Sequence, residues 1–115
     1  MPLQRSKLGN IQFISTSAGP VYTNPASTKT YIRGIIIFNS NVNTETVKLY
    51  NVPASGGSVG IASSGNQFLN TNVVSSETLF IEIPYVITLT DLNDALFAST
   101  TNSQAVTIQI LGDKE

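Results

Sequence analysis

The sequence predicts an all-β protein: an antiparallel β-sandwich of seven or eight short strands, jelly-roll or Greek-key like, with an N-terminal arm over residues 1–19 and a single domain over 20–115. Three observations carry this. After residue 28 apolar side chains recur with a period of two, the spacing of strands that bury one face. No window of helical length carries a 3.6-residue period. Turn-formers gather between the apolar runs, at NPAST, NSNVN, PASGGSVG, DLND and TNSQ, as they do between the strands of sandwiches and barrels. A chain of 115 residues matches one core of ordinary size.

Taken in order, residues 1–19 hold a short apolar set, Ile11, Phe13 and Ile14, too small for a core of its own. The segment reads as a disordered tail or as an arm that docks Ile11 and Phe13 on the parent domain or on a neighbour. PVYT precedes the turn at Asn24-Pro25, and the run YIRGIIIFNSN follows. TETVKLYNV alternates, with Val47 and Leu49 opposite Thr46, Lys48 and Tyr50. The loop PASGGSVG combines glycines that tolerate positive φ with Pro53, which cannot donate to a ladder. IASSGNQFLNT reads as a short strand or an irregular crossing. SETLFIEIP sets Leu79, Ile81 and Ile83 against Thr78, Phe80 and Glu82; YVITLT and ALFAST follow, and AVTIQIL places Val106, Ile108 and Ile110 on one face. The predicted interior is Ile32, Ile36, Phe38, Val47, Leu49, Leu79, Ile81, Ile83, Leu96, Val106, Ile108 and Ile110.

That assignment leaves a problem at residues 31–38. If Phe38 points inward, strict alternation turns Tyr31, Arg33, Ile35 and Ile37 outward. Outward isoleucines beside a tyrosine and an arginine have the composition of an interface, so these four, with Ile11 and Phe13, are the candidate contact residues. A loop or the N-terminal arm folded over them is the alternative. Phe80, Tyr50 and Tyr85 are lesser candidates for the same role.

Composition narrows the chemistry. Charged residues make up 11% of the chain and the net charge is −1, against about 25% charged residues in ordinary soluble domains. The surface is therefore neutral and polar, with little charge to repel neighbouring copies, and no basic footprint for nucleic acid is present. No segment has the length and apolarity of a membrane span or a signal peptide. The absence of cysteine and histidine removes disulfides, thiolate nucleophiles and the commonest general base and metal ligands. Seven carboxylates remain, with no spacing that argues for an acid–base pair. TDLND lacks the framework of a calcium loop and reads as a turn capped by its own side chains. SGGSVG lacks the lysine and helix of a phosphate loop. No catalytic residue, metal or cofactor is expected. Glycan binding stays open through Tyr22, Tyr31, Tyr50 and Tyr85, although no loop clusters them.

From Val21 onward the chain resembles a family of small bacteriophage virion proteins. The resemblance is carried by VYTNPASTKTYIRGIIIFNSNVNTETVKLYNVPASGG, by SSETLFIEIPYVITLTDLNDALFAST and by NSQAVTIQIL. Its marks are an apolar strand ending in Asn39, the loop at Val52, Pro53, Ser55, Gly56 and Gly57, the turn Ser76-Glu77-Thr78-Leu79, and Leu96, Ala98 and Ser99. It covers about four fifths of the chain, and the order of these short elements is its most specific feature. It departs at Pro25-Ala26-Ser27-Thr28-Lys29, where the family usually has PAGK, and at TDLND, which replaces a glycine-bearing turn. The resemblance implies a non-enzymatic phage structural protein, most of all a capsid decoration or cement protein that binds the major capsid protein lattice and stabilises the head. A tail- or fibre-associated adaptor and a host-surface glycan-binding module are the alternatives. It further implies a trimer or other homo-oligomer, made in the host cytoplasm and located in the virion, on the capsid exterior.

Overall fold

The computed structural model describes residues 4–115. Among them are nine strands: β1 (Gln4–Lys7), β2 (Gln12–Phe13), β3 (Gly19–Thr23), β4 (Thr30–Asn39), β5 (Glu45–Val52), β6 (Gln67–Val73), β7 (Thr78–Leu89), β8 (Ala95–Thr100) and β9 (Val106–Lys114). No helix occurs among the described residues.

The strands form two sheets. One runs β1-β9-β4-β7, with β2 also on β9, so that β1 and β2 occupy successive stretches of one edge. The other runs β3-β8-β5-β6, and every pairing is antiparallel. Only β5 and β6 are both consecutive and paired after β2; the other connections pass from sheet to sheet. With β1 and β2 counted as one position, eight positions in this order make a jelly roll.

Between the sheets Ile32, Ile35, Ile37, Val47, Leu49, Leu96, Val106, Ile108 and Ile110 form the main core, with Leu79, Ile81 and Ile83 half-buried against it. A second cluster lies on the outer face of the β3-β8-β5-β6 sheet. There Tyr50 and Val52 of β5 pair with Phe97 and Ala95 of β8, and Ala62, from the long β5–β6 loop, packs over them. Tyr50 is therefore buried beneath its own chain and is not a contact residue.

The largest departure from the sequence reading is in β4. Ile35 and Ile37 are core residues, 1% and 0% exposed, while Ile36 is half-buried on the outer face and Phe38 is 36% exposed there. The assignment of Ile35 and Ile37 to an outward contact is corrected, as is that of Ile36 and Phe38 to the interior. The cause is a bulge. Ile32 pairs with Gly112 and Gly34 with Leu111, leaving Arg33 as an extra residue that reverses the alternation beyond it. On the other side Ile32 pairs with Ile87 and Gly34 with Glu82, so Ile83 to Val86 of β7 stand against the single Arg33.

The segment before residue 20 is likewise not separate from the sandwich. β1 and β2 pair with β9, the backbone N–H groups of Leu8 and Ile14 donate to the carbonyls of Ile110 and Val106, both at 2.8 Å, and both side chains are 1% exposed in the core. Leu8 and Ile14, not Ile11 and Phe13, anchor it. Among the described residues, the segment assigned to an arm over 1–19 is thus docked on the domain from 20, by pairing with β9 and by Leu8 and Ile14 in its core.

Three buried polar side chains fix the loops at the ends of the sandwich. Asn24 donates to the carbonyls of Thr28 and Asp91 and accepts from Thr30. Asn39 donates to the carbonyls of Asn43 and Val73. Glu45 accepts from the Thr100 hydroxyl, from the Asn102 backbone and side chain, and from the Asn41 amide. Burial alone would raise the Glu45 carboxyl, but these hydrogen bonds outweigh it and hold the group below its ordinary value. A depressed folded pKa stabilises the protein at pH values above the ordinary carboxylate range, and the benefit disappears as pH falls through the folded value. Glu45→Gln is expected to cost about 2 kcal/mol at neutral pH, and its melting curve should converge on the parent's in acid. Parallel curves from pH 7 to pH 3 would contradict this.

Candidate functional site

The face that matters is the outer surface of the β1-β9-β4-β7 sheet, because no part of the described chain covers it as the β5–β6 loop covers the other sheet. The register sets its side chains in rows. Phe13, Thr107, Phe38 and Thr78 lie across β2, β9, β4 and β7. The next row is Gln109, Ile36 and Phe80, and the one after it Leu111, Gly34 and Glu82. Ile11 leads into β2 beside the first two rows, where Gln109 donates to the carbonyl of Gly9 at 2.8 Å.

These rows hold exposed apolar groups: Phe80 is 73% accessible, Ile11 61%, Phe13 53% and Phe38 36%. With about 200 Å² for a fully exposed side chain of this size, the four leave on the order of 400 Å² open to solvent, a patch as large as those that mark interaction sites on monomers. Thr78, Thr107 and Gln109 dilute it with neutral polar groups, and Glu82 brings a negative charge into the third row.

The sequence candidates divide. Ile11 and Phe13 lie on this face and are exposed. Tyr31 and Arg33 lie toward its far end and are tied to the C-terminal strand. Arg33 is paired with the buried Asp113 through its Nε, and the Tyr31 hydroxyl donates to Glu115 at 3.2 Å. Desolvation, then the nearby Glu115 charge and the hydrogen bond to it, raise the Tyr31 phenol above its ordinary value, so it stays neutral and a donor through the physiological range. Ile35 and Ile37 are absent from the face, and Ile36, Phe38 and Phe80 take their place. The signal for the exchange is Gly34: a glycine inside a strand pattern marks a bulge, and a bulge exchanges the two faces.

The other candidates resolve as structural groups. In TDLND the Asp94 carboxylate accepts from the backbone N–H groups of Ala54, Thr90 and Asp91, which caps its own turn. No group of three or more His, Cys, Asp or Glu side chains able to hold a metal occurs among the described residues. The tyrosines are dispersed: Tyr22 is bonded to Thr30, Tyr31 to Glu115, Tyr50 is buried and Tyr85 is 92% exposed on the β7 irregularity. They build no common platform for a sugar. Compared with known proteins, the chain matches no family model and no curated sequence.

Proposed function

We propose that the protein is a non-enzymatic structural component of a phage virion that attaches to the major capsid protein lattice from outside and associates with its own copies, as a decoration or cement protein does. The observation that carries the reading is the uncovered apolar face of the β1-β9-β4-β7 sheet, centred on Phe13, Phe38, Ile36 and Phe80. A face of this kind, weakly charged and rigidly held by a sandwich, adheres by shape and apolar burial. Repetition over a symmetric shell turns a modest contact into a stable one. The strand order and the sequence resemblance support the same reading, since jelly rolls serve in viral shells as well as in lectins; fold alone does not assign function.

The test is attachment. In a co-sedimentation assay with phage particles, Phe13→Lys/Phe38→Lys is expected to weaken binding at least tenfold, because two charges replace rings at the centre of the contact. Both side chains are exposed, so the variant should melt within about 2 °C of the parent. Undiminished attachment would remove this face from the function.

A further inference from the structure

The two open sides of the sandwich differ. On one, Leu8 and Ile14 seal the gap between the sheets. On the other, where β7 and β6 are the edge strands, the gap remains a cleft of about 350 Å³ lined by Phe68, Leu69, Ile81, Ile83, Pro84 and Ile87. Among the described residues β7 pairs only with β4 and β6 only with β5. The main-chain groups of alternate β7 residues therefore point away from the sheet without a strand to meet them.

We propose that two copies of the chain join through this edge, β7 against β7 about a two-fold axis at Phe80, to make one continuous sheet that closes both clefts. The sequence of the edge is self-complementary in that register. Leu79 falls opposite the partner's Ile81 on the inner face, and Thr78 opposite the partner's Glu82 on the outer face, so the one charge in the segment meets a hydroxyl and not its own copy. Phe80 meets its own copy, and the outer row Ile36–Phe80 continues into the same row of the partner. That contact covers the most exposed phenylalanine of the face. The register is bounded at both ends. The turn at Ser76, with φ of 62°, precedes the segment, and Pro84, which has no N–H, ends the ladder beyond Glu82. Ladder, aromatic pair and cleft closure together give a contact at the small end of stable interfaces, with a dissociation constant on the order of 10 µM.

The inference takes from the proposed function only the premise that the chain associates with its own copies. Sedimentation equilibrium of the purified full chain between about 1 and 500 µM should show the mass rising from 12.3 kDa toward twice that value. Phe80→Lys, at an exposed position, should stay monomeric throughout, with a melt that matches the parent's at about 1 µM, where the parent is itself monomeric. The chain has no cysteine, so Phe80→Cys should form an inter-copy disulfide on oxidation, because facing Cβ atoms lie within reach across an antiparallel pair, while Phe13→Cys should not. A monomer at 500 µM, an association that survives Phe80→Lys, or efficient cross-linking through Phe13→Cys in place of Phe80→Cys would each overturn the proposal. These measurements use no particle, so their failure leaves lattice attachment standing, and failure of the Phe13/Phe38 assay leaves the dimer standing.

Discussion

Ile37→Lys is expected to yield no folded protein, whereas Phe38→Lys, one residue along, should melt as the parent does. Ile37 is 0% exposed and packed between the sheets. Its replacement forfeits about 1.5 to 3 kcal/mol of apolar burial and places an ammonium between the sheets, away from water, a further cost of several kcal/mol. A domain of this size has about 5 to 15 kcal/mol in total. The graded form, Ile37→Ala, should cost about 2 to 5 kcal/mol in a denaturant titration. Phe38→Lys changes an outer-face residue and should stay within about 0.5 kcal/mol of the parent. Reversal of the pair, with Ile37→Lys folded and Phe38→Lys collapsed, would mean that the β4 bulge does not exist in solution.

The second large effect belongs to Gly112. A Cβ at this position would stand 2.0 Å from the Tyr31 carbonyl oxygen and 3.0 Å from Leu8 Cδ1. The first obstacle is backbone, so no side-chain rotation relieves it; β9 would have to move off β4 at the bulge. Gly112→Ala is expected to cost about 3 kcal/mol or more, a fall in Tm of roughly 10 °C. It should also loosen the neighbouring Arg33–Asp113 pair, because Asp113 follows directly in β9. Gly65→Ala is the control, since a Cβ there meets only Ser63 Oγ, at 3.6 Å; its Tm should not move by more than about 2 °C. Equal effects at the two glycines would contradict the close approach of β9 to the Tyr31 carbonyl.

The all-β class and most strands were legible because alternation survives wherever one face is buried and the other wet. AVTIQIL and TETVKLYNV show this: Val106, Ile108, Ile110, Val47 and Leu49 are core residues as their spacing predicts. Alternation fails as a guide where both faces carry apolar groups, because the phase is then ambiguous. YIRGIIIFN is such a segment. The bulge at Arg33 resolved it in the direction opposite to a strict count, and Gly34 was the one sign of it.

The same limit concealed the second cluster. Tyr50 and Phe97 lie on the outer face of their sheet, and only the fold of the 53–66 loop over them makes them interior. The anchoring role of Leu8 and Ile14 escaped notice for another reason, although Ile14 was named in the apolar set of the N-terminal segment. Each closes the sandwich from a short edge segment with no periodicity, and only the pairing with β9 reveals it. The candidate site was therefore half legible. Ile11 and Phe13 were identifiable as apolar residues with no core of their own, while Ile36, Phe38 and Phe80 join them only through the register of β4 with β7 and β9.

The proposed virion role is tested most directly by electron cryomicroscopy of phage particles to which the purified chain has been added. A capsid decoration protein should appear as jelly-roll density repeated over the shell exterior, with Phe13 and Phe38 turned toward the major capsid protein. Complete particles with no density for the chain on head or tail, or a bound chain whose β1-β9-β4-β7 face is turned to solvent, would contradict it.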